Sequence, residues 1–287
     1  MTSNRENGNK PLVSIIIPTF NSGRYLDLSL ESICRQTYSN LEIIAIDDAS
    51  SDDTYNKLVE WQKKNGSIRL YKNEGNLGIA KTRNKGVSLA NGKYIALMDH
   101  DDISRPTRIE KEVDFLENNG EYAAVGTQID VIDEQGTVVG KKEYKTTFEK
   151  IMHELPFASP ICNPSAMIRT SALKEIGPYD ETLSGSEDYE MWFKMAGKYK
   201  LANINEYLFA YRVSNSQTST KDIHKMVTLT QRVQGRWIFK KEHFNLKAIL
   251  IFFARPIAYL VPNKILAAKY KAGYCNLVKR SNIYPII

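Results

Sequence analysis

Along the first hundred residues, short apolar runs alternate with longer segments whose apolar side chains recur every three or four positions. Val13-Ser14-Ile15-Ile16-Ile17 is short, β-branched and stopped by Pro18, which predicts a buried strand. Residues 24–35 carry Leu26, Leu30 and Ile33 at helical spacing. Glu42 to Ile46 predicts a second buried strand, ending at Asp47-Asp48. Asp52-Asp53-Thr54 opens a predicted helix through Trp61, with acids where the positive end of a helix dipole favours them. Ile68–Tyr71 and Tyr94–Met98 read as two further strands, with a helix near 79–90 between them. Strand–helix alternation of this kind predicts a mostly parallel, doubly wound α/β sheet covered on both faces.

After Asp102 the rhythm loosens. Short strands, a turn at Asp133-Glu134-Gln135-Gly136 and a helix at about 187–197 predict a mixed half that runs to about residue 220. Beyond it the chain turns basic and helical. With 287 residues there is enough chain for one large domain with a substantial core, or one domain and an appendage. Met1 to Lys10 is polar and has no apolar core, so it does not read as a signal peptide. Cys34, Cys162 and Cys275 are odd in number and widely spaced. They suggest neither a disulfide framework nor a metal cluster, and the expectation is a reducing cytoplasm.

Charge changes the picture. Residues 221–287 hold thirteen Lys and Arg against two Asp and Glu, a net +11; since the whole chain is +6, residues 1–220 carry −5. A basic tail on an acidic body suggests an anionic partner for the tail alone.

The candidate chemistry lies in carboxylates. In an open parallel sheet, ligands bind beyond the carboxyl ends of the strands, and three acidic groups fall there. Asp47 and Asp48 end one predicted strand, Asp99, Asp101 and Asp102 follow another, and Glu187 and Asp188 start a later helix. Acids packed together repel and call for a counterion or water. Asp99-His100-Asp101 offers hard oxygen ligands that suit Mg²⁺ or Mn²⁺ better than zinc. A lone Asp-x-Asp is more often a solvated loop; the strand before it and the two other acidic clusters shift the balance here. Pro18-Thr19-Phe20-Asn21-Ser22-Gly23 stands where a dinucleotide-binding protein would place Gly-x-Gly-x-x-Gly, and no Gly-Lys-Ser/Thr phosphate loop occurs. His100, His153, His224 and His243 show no zinc-like spacing.

Taken in order, these residues carry a family pattern. Val13 to Thr54, with Val-Ser-Ile-Ile-Ile-Pro-Thr-Phe-Asn at its start and Ile46-Asp47-Asp48-Ala49-Ser50 near its end, resembles the nucleotide-binding half of family 2 glycosyltransferases. Gly75-Asn76-Leu77-Gly78, Thr82-Arg83-Asn84-Lys85-Gly86, Asp99-His100-Asp101-Asp102, Gly177-Pro178-Tyr179-Asp180 and Glu187-Asp188-Tyr189-Glu190-Met191-Trp192 continue it. The resemblance covers roughly 12–219. It implies a GT-A fold at 12–220, with a nucleotide-binding half at about 12–102 and an acceptor half at about 103–220. A polar tail at 1–11 and the basic region at 221–287 flank it.

The resemblance also implies an inverting, metal-dependent transfer of sugar from a nucleotide-sugar donor, with a UDP-sugar as the first guess, to an acceptor hydroxyl. By carry-over, Pro18 and Phe20 line the base pocket, Asp48 bonds the base and Arg83 lies near the donor. Asp99 contacts ribose or metal, Asp101 holds Mn²⁺ or Mg²⁺ against the diphosphate, Arg212 contacts the diphosphate, and Asp188 is the general base. Glu187 and Trp192 are carried over as orienting or acceptor-side residues, although Met191, Trp192 and Met195 at helical spacing favour a core stripe. Asp188 also has an ordinary reading, as an acid at a helix N-terminus. Two departures stand out. Tyr211-Arg212 is followed by Val213 and Ser214 where many relatives place a histidine two residues on, and Asn163-Pro164-Ser165 replaces a frequent His-Pro-Ser.

Two other classes compete. A non-catalytic nucleotide-sugar-binding module would have no need of Asp188, and a nucleotidyltransferase would not explain Glu187-Asp188. In the tail, residues 246–261 are apolar but too short to span a bilayer and are interrupted by Arg255-Pro256. Arg232, Arg236, Lys240, Lys241, Lys264, Lys269 and Lys271 flank this run, and Lys247 lies at its start. Two readings stand: a helix on an anionic leaflet at the cytoplasmic face, suited to a lipid-linked glycan acceptor, or an ordinary helix packed on the domain. Nucleic acid is not expected, because no binding motif accompanies the charge.

Overall fold

A computed structural model describes residues 10–214 and 223–255, with Pro262 and Ile265. The first half follows the hydrophobic pattern closely: β1 (Val13–Thr19), α1 (Leu26–Cys34), β2 (Leu41–Asp47), α2 (Thr54–Lys64), β3 (Ile68–Lys72), α3 (Ile79–Leu89) and β4 (Tyr94–Leu97). The four strands are parallel, in the order β3-β2-β1-β4. Every residue of β1 is buried, as a strand covered on both faces requires.

β1 runs two residues past the expected stop, because Pro18 lies inside it opposite Ile46. Met98 N–H donates to Ile16 O at 3.1 Å, so the even-numbered residues of β1 turn their backbone polar groups towards β4. β4 ends at Leu97, opposite Ile16. The nitrogen of Pro18 therefore faces a side where no strand continues, and its missing N–H costs no ladder bond.

The second half comprises β5 (Ile103–Ser104), α4 (Arg108–Asn118), β6 (Tyr122–Ile132), β7 (Val138–Lys142), α5 (Phe148–Glu154), β8 (Met167–Arg169), α6 (Thr170–Ile176), α7 (Glu187–Ala196) and β9 (Lys200–Arg212). Short β8 runs antiparallel to β4 on one side and to β6 on the other, so it splices the halves into one sheet. The order is β3-β2-β1-β4-β8-β6-β9-β5, with β7 on β6.

Side chains that alternate along β1 feed two cores, since successive residues of a strand point to opposite faces. Ile16 joins Ile44, Ile46, Ile95, Leu97, Trp192 and Phe193. Ile15 and Ile17 join Leu26, Leu30, Ile43, Ile109 and Val113. Gly86 lets α3 lie directly on β1, because a Cβ there would stand 2.5 Å from Ile16 Cγ2.

The basic region forms α8 (Ile223–Trp237) and α9 (Leu246–Ala254). α8 is not a detached tail. Leu229, Val233 and Ile238 belong to the core that holds Trp192. The Trp237 ring stacks on Phe193 at 5.8 Å, and Gln234 Nε2 donates to Pro156 O at 2.9 Å. The packed reading is therefore right for α8, whose apolar side would otherwise be left in water. Arg236, expected among the membrane-facing cations, pairs instead with Asp180 at 2.6 Å and Glu190 at 2.7 Å. Lys264, Lys269, Lys271 and Cys275, and most of the polar tail at 1–11, lie outside the described residues. Cys34 is half-buried and Cys162 buried, both as free thiols.

Candidate active site

The carboxyl ends of β1, β2 and β4 form one edge, and two loops on it are locked together. Asn21, after β1, and Ala49, after β2, both adopt left-handed backbone, with φ of 48° and 60°. Asn is at ease there and Ala is not, so Ala49 stores strain. Ser51 N–H donates to Asn21 Oδ1 at 2.9 Å and Asn21 N–H to Ser50 Oγ at 3.0 Å. Beside them Asp48 organises the loop before α3. Its Oδ1 accepts from Asn73 Nδ2 at 2.7 Å and Leu77 N–H at 2.9 Å, and its Oδ2 accepts from Gly78 N–H at 2.9 Å. Gly78 has φ of 85°, which explains a glycine at this point of the motif. Asp48 thus shapes the Gly75–Gly78 loop. Pro18 is buried beneath this edge and Phe20 stands at it with its ring exposed.

Asp99, Asp101 and Asp102 follow β4 as the sequence predicts, and a buried arginine braces them. Arg212 N–H, at the end of β9, donates to Asp102 Oδ1 at 2.8 Å. Its Nε donates to Asp101 O at 2.7 Å and its Nη1 to Asp133 O at 2.8 Å, while the guanidinium lies 4.4 Å from the Tyr25 ring. Arg212 therefore sits beneath the acid loop and fixes its backbone. Burial pushes the Asp102 carboxyl well above the usual range, and repulsion from Asp101 and Asp99 pushes it the same way. Asp99 is raised for like reasons, against the opposing pull of Arg83.

α3 joins this loop to α7. Arg83 is buried; its Nη1 donates to Glu187 Oε1 at 2.6 Å and its Nη2 lies 3.4 Å from Asp99 Oδ1. Tyr179 covers the guanidinium at 5.4 Å. Asn84 grips the backbone of Tyr179 in both directions, through Nδ2 to its carbonyl at 3.0 Å and Oδ1 from its N–H at 2.9 Å. The Thr82-Arg83-Asn84, Gly177-Pro178-Tyr179-Asp180 and Glu187-Asp188 motifs are thus one contact unit.

Asp188 belongs to this unit. It is half-buried, and its carboxyl is pushed up to about 7, first by burial and then by Glu187 beside it, with Arg83 opposing. A carboxyl raised this far exchanges its proton in the neutral range rather than in acid. An exposed helix acid would show no such rise.

Trp192 was carried over as an orienting or acceptor-side residue, and its burial leaves no room for direct acceptor contact. It is fully buried in the core beneath α7, and an acceptor has no path to it. Its spacing with Met191 and Met195 correctly marked a core stripe. Sequence reasoning assigned no role to Asp102, Asn84 or Tyr179. Asp102 was signalled by the third acid of Asp99-His100-Asp101-Asp102, but its bond to Arg212 crosses 110 residues and leaves no trace in the local pattern.

Among the described residues, no three His, Cys, Asp or Glu side chains are arranged to enclose a metal. Mg²⁺ and Mn²⁺ commonly use one or two carboxylates and complete their shell with water and substrate phosphate, so an enclosed cluster is not required. Asp102 Oδ2 is buried without a hydrogen-bond donor, and the nearby Asp101 and Asp99 raise the cost of charging it. That surplus of hard, negative oxygen fits a divalent cation.

Comparison with known proteins agrees with this geometry. The sequence model of "Glycosyl transferase family 2" matches residues 14–177. An uncharacterized glycosyltransferase of Methanocaldococcus jannaschii, MJ1057, is 35% identical over 257 residues, covering 88% of each chain. The putative glycosyltransferase EpsE of Bacillus subtilis is 35% identical over 275 residues, covering 93% of this chain and 95% of its own. Among solved structures, residues 1–349 of S. aureus TarS in complex with UDP-GlcNAc superpose with a TM-score of 0.65 at 18% identity, over 86% of this chain and 73% of that one. The mannosyltransferase PcManGT of Pyrobaculum calidifontis, in complex with GDP-Man and Mn²⁺, superposes with a TM-score of 0.64 at 17% identity, over 95% and 77%. Both likenesses establish the GT-A type of α/β fold.

Proposed function

Because the chain belongs to the family 2 glycosyltransferases, we propose that it transfers a sugar with inversion from a nucleoside-diphosphate sugar to an acceptor hydroxyl, with Asp188 as the base. The observation that carries this reading is Asp188 itself. The residue is half-buried, its carboxyl is pushed up to about 7, and it lies close enough to Arg83, Glu187 and Asp99 for their charges to act on it. Through those residues it is tied to the acid loop.

On this reading each residue takes a role. The edge formed by β1, β2 and the Gly75–Gly78 loop receives the nucleotide, with Phe20 and Asp48 beside the base and Pro18 beneath. Asp101, with Asp99, would hold Mn²⁺ or Mg²⁺ for the diphosphate. The ion's chemistry would be to neutralise charge as the nucleoside diphosphate leaves. Arg212 keeps the acid loop in shape from below. Arg83 and Glu187 set Asp188 over the opposite side of the donor, where it takes the acceptor proton as the hydroxyl attacks. Such help is worth ~10²–10⁴-fold in rate. A single base with no side chain cast as nucleophile implies inversion.

On this reading residues 12–102 serve the donor and 103–220 the acceptor, and UDP-sugars are the first donors to try. A lipid-linked or surface glycan is the acceptor class we favour, because of the surface of α9 described below. The test is a screen of nucleotide sugars for release of nucleoside diphosphate with and without divalent cation. Release of pyrophosphate would identify a nucleotidyltransferase instead, and tight donor binding with no release a binding module.

A further inference from the structure

α9 is apolar on both faces. Its inner side packs on α8: Ala248 is buried, and Gln231 Nε2 donates to Phe252 O at 3.3 Å. Its outer side presents Leu246, Leu250 and Phe253, spaced to form one stripe, with 66%, 64% and 67% of their surfaces exposed. Phe244 and Phe239, just before the helix, extend the patch at 62% and 51%. Lys240, Lys241 and Lys247 are exposed in the same stretch, against one acid, Glu242.

We propose that this ledge, Phe239 to Phe253, seats the protein on an anionic membrane surface. Large apolar side chains in a row beside cations are the chemistry of an interfacial helix. The rings and Leu side chains enter the acyl boundary while the lysines meet lipid phosphates. No described helix is long and apolar enough to cross a membrane, so α9 lies in the plane of the surface. Charge selects the occupant. A symmetric contact between two copies would set Lys240, Lys241 and Lys247 against their own counterparts within tails of net +11. An anionic leaflet complements them instead. The two expectations for the basic tail thus divide between its helices: α8 is packed on the domain and α9 faces lipid. The inference deepens the lipid-linked acceptor reading, yet rests on a surface away from the donor site.

The test is co-sedimentation of the full chain with vesicles of phosphatidylcholine, alone or mixed with phosphatidylglycerol. Binding is expected only to the mixture and should weaken as ionic strength rises beyond about 0.15 M. Leu246→Ser, Leu250→Ser and Phe253→Ser combined should lower the bound fraction about ten-fold or more. Because these side chains face solvent, melting temperature and donor cleavage should not change. Lys240→Gln, Lys241→Gln and Lys247→Gln combined should erase the preference for phosphatidylglycerol. Vesicle binding by the serine variant equal to that of the parent would overturn the proposal. So would a parent dimer in light scattering that the serine variant makes monomeric, without any vesicle binding. Donor cleavage is read separately: its absence with intact vesicle binding would sink the transferase mechanism and leave the ledge standing.

Discussion

Arg83 on α3 and Glu187 at the start of α7 are 104 residues apart in the chain, and their charged groups meet at 2.6 Å in the interior. Only 4% of either side chain is exposed. Removing one partner of such a pair strands the other charge, which typically costs about 3–5 kcal/mol. Arg83→Met should therefore destabilise the protein by about that much in urea unfolding. Adding Glu187→Leu should recover most of the loss, because a buried pair is often replaceable by apolar residues. Transfer should not return in the double variant, since Asp188 would have lost two of the charged neighbours that act on it. Recovery of transfer together with stability would reduce the pair to a structural staple.

Asp188→Asn keeps the shape of the side chain and removes the proposed base. Donor affinity should be nearly unchanged while single-turnover transfer falls by ~10²-fold or more. Glu187→Gln should be milder. Transfer by Asp188→Asn within a few-fold of the parent would remove Asp188 as the base.

The raised carboxyl of Asp188 ties activity and stability to pH with opposite signs. Its proton is held more tightly in the folded chain, at about 7, than at the ordinary value of 3.8. Its contribution to stability is therefore fully present below 3.8 and is lost as pH rises through about 7. The base form gains over the upper part of the same interval, so single-turnover transfer should climb with pH and level off above about 7. In Asp188→Asn the melting temperature should equal or exceed that of the parent at pH 8 and converge with it in acid. A lower melting temperature for the variant at pH 8 would contradict this.

If the diphosphate and Asp101 share one cation, as proposed, Asp101→Ala should abolish turnover and weaken donor binding. Calorimetry of donor binding with and without Mn²⁺ checks this: the variant should lose the metal-dependent part of the affinity. Full activity of the parent in excess chelator would show that the acid loop needs no metal.

A chain ending near residue 220 should fold poorly, because it leaves behind the surface that Leu229, Val233 and Ile238 cover. Ile238→Ala alone should cost about 2–5 kcal/mol. Thermal unfolding reads both, and a truncated chain as stable as the parent would show that α8 contributes nothing to the core.

The strands and helices of the first half were legible because buried parallel strands are continuous β-branched runs, and the acids that end them interrupt those runs visibly. The motif residues Asp48, Asp99 and Asp101 could be picked out for the same reason, and Asp188, at the start of a helix, through the family resemblance. Trp192 was ambiguous because the pattern places it on a helix face without saying what covers that face; the structure covers it completely. In the tail, composition showed a basic and apolar region, but not that Arg236 would be spent on Asp180 and Glu190. Nor could it show that Leu229 and Val233 would be inside while Leu250 and Phe253 stayed outside.

By itself the sequence determined the first-half sheet, the order of its motifs and the family they belong to. Those depend on local properties: which side chains alternate, where a run stops, and which acids follow it. Only the tertiary structure decided that Arg83 would gather Asp99 and Glu187, that Arg212 would brace Asp102 from another strand, and that α8 would pack inward while α9 turned its ledge to solvent. These are contacts between residues far apart in the chain. Their energies come from burial and from charge in a low dielectric, and both exist only once the halves have closed on each other.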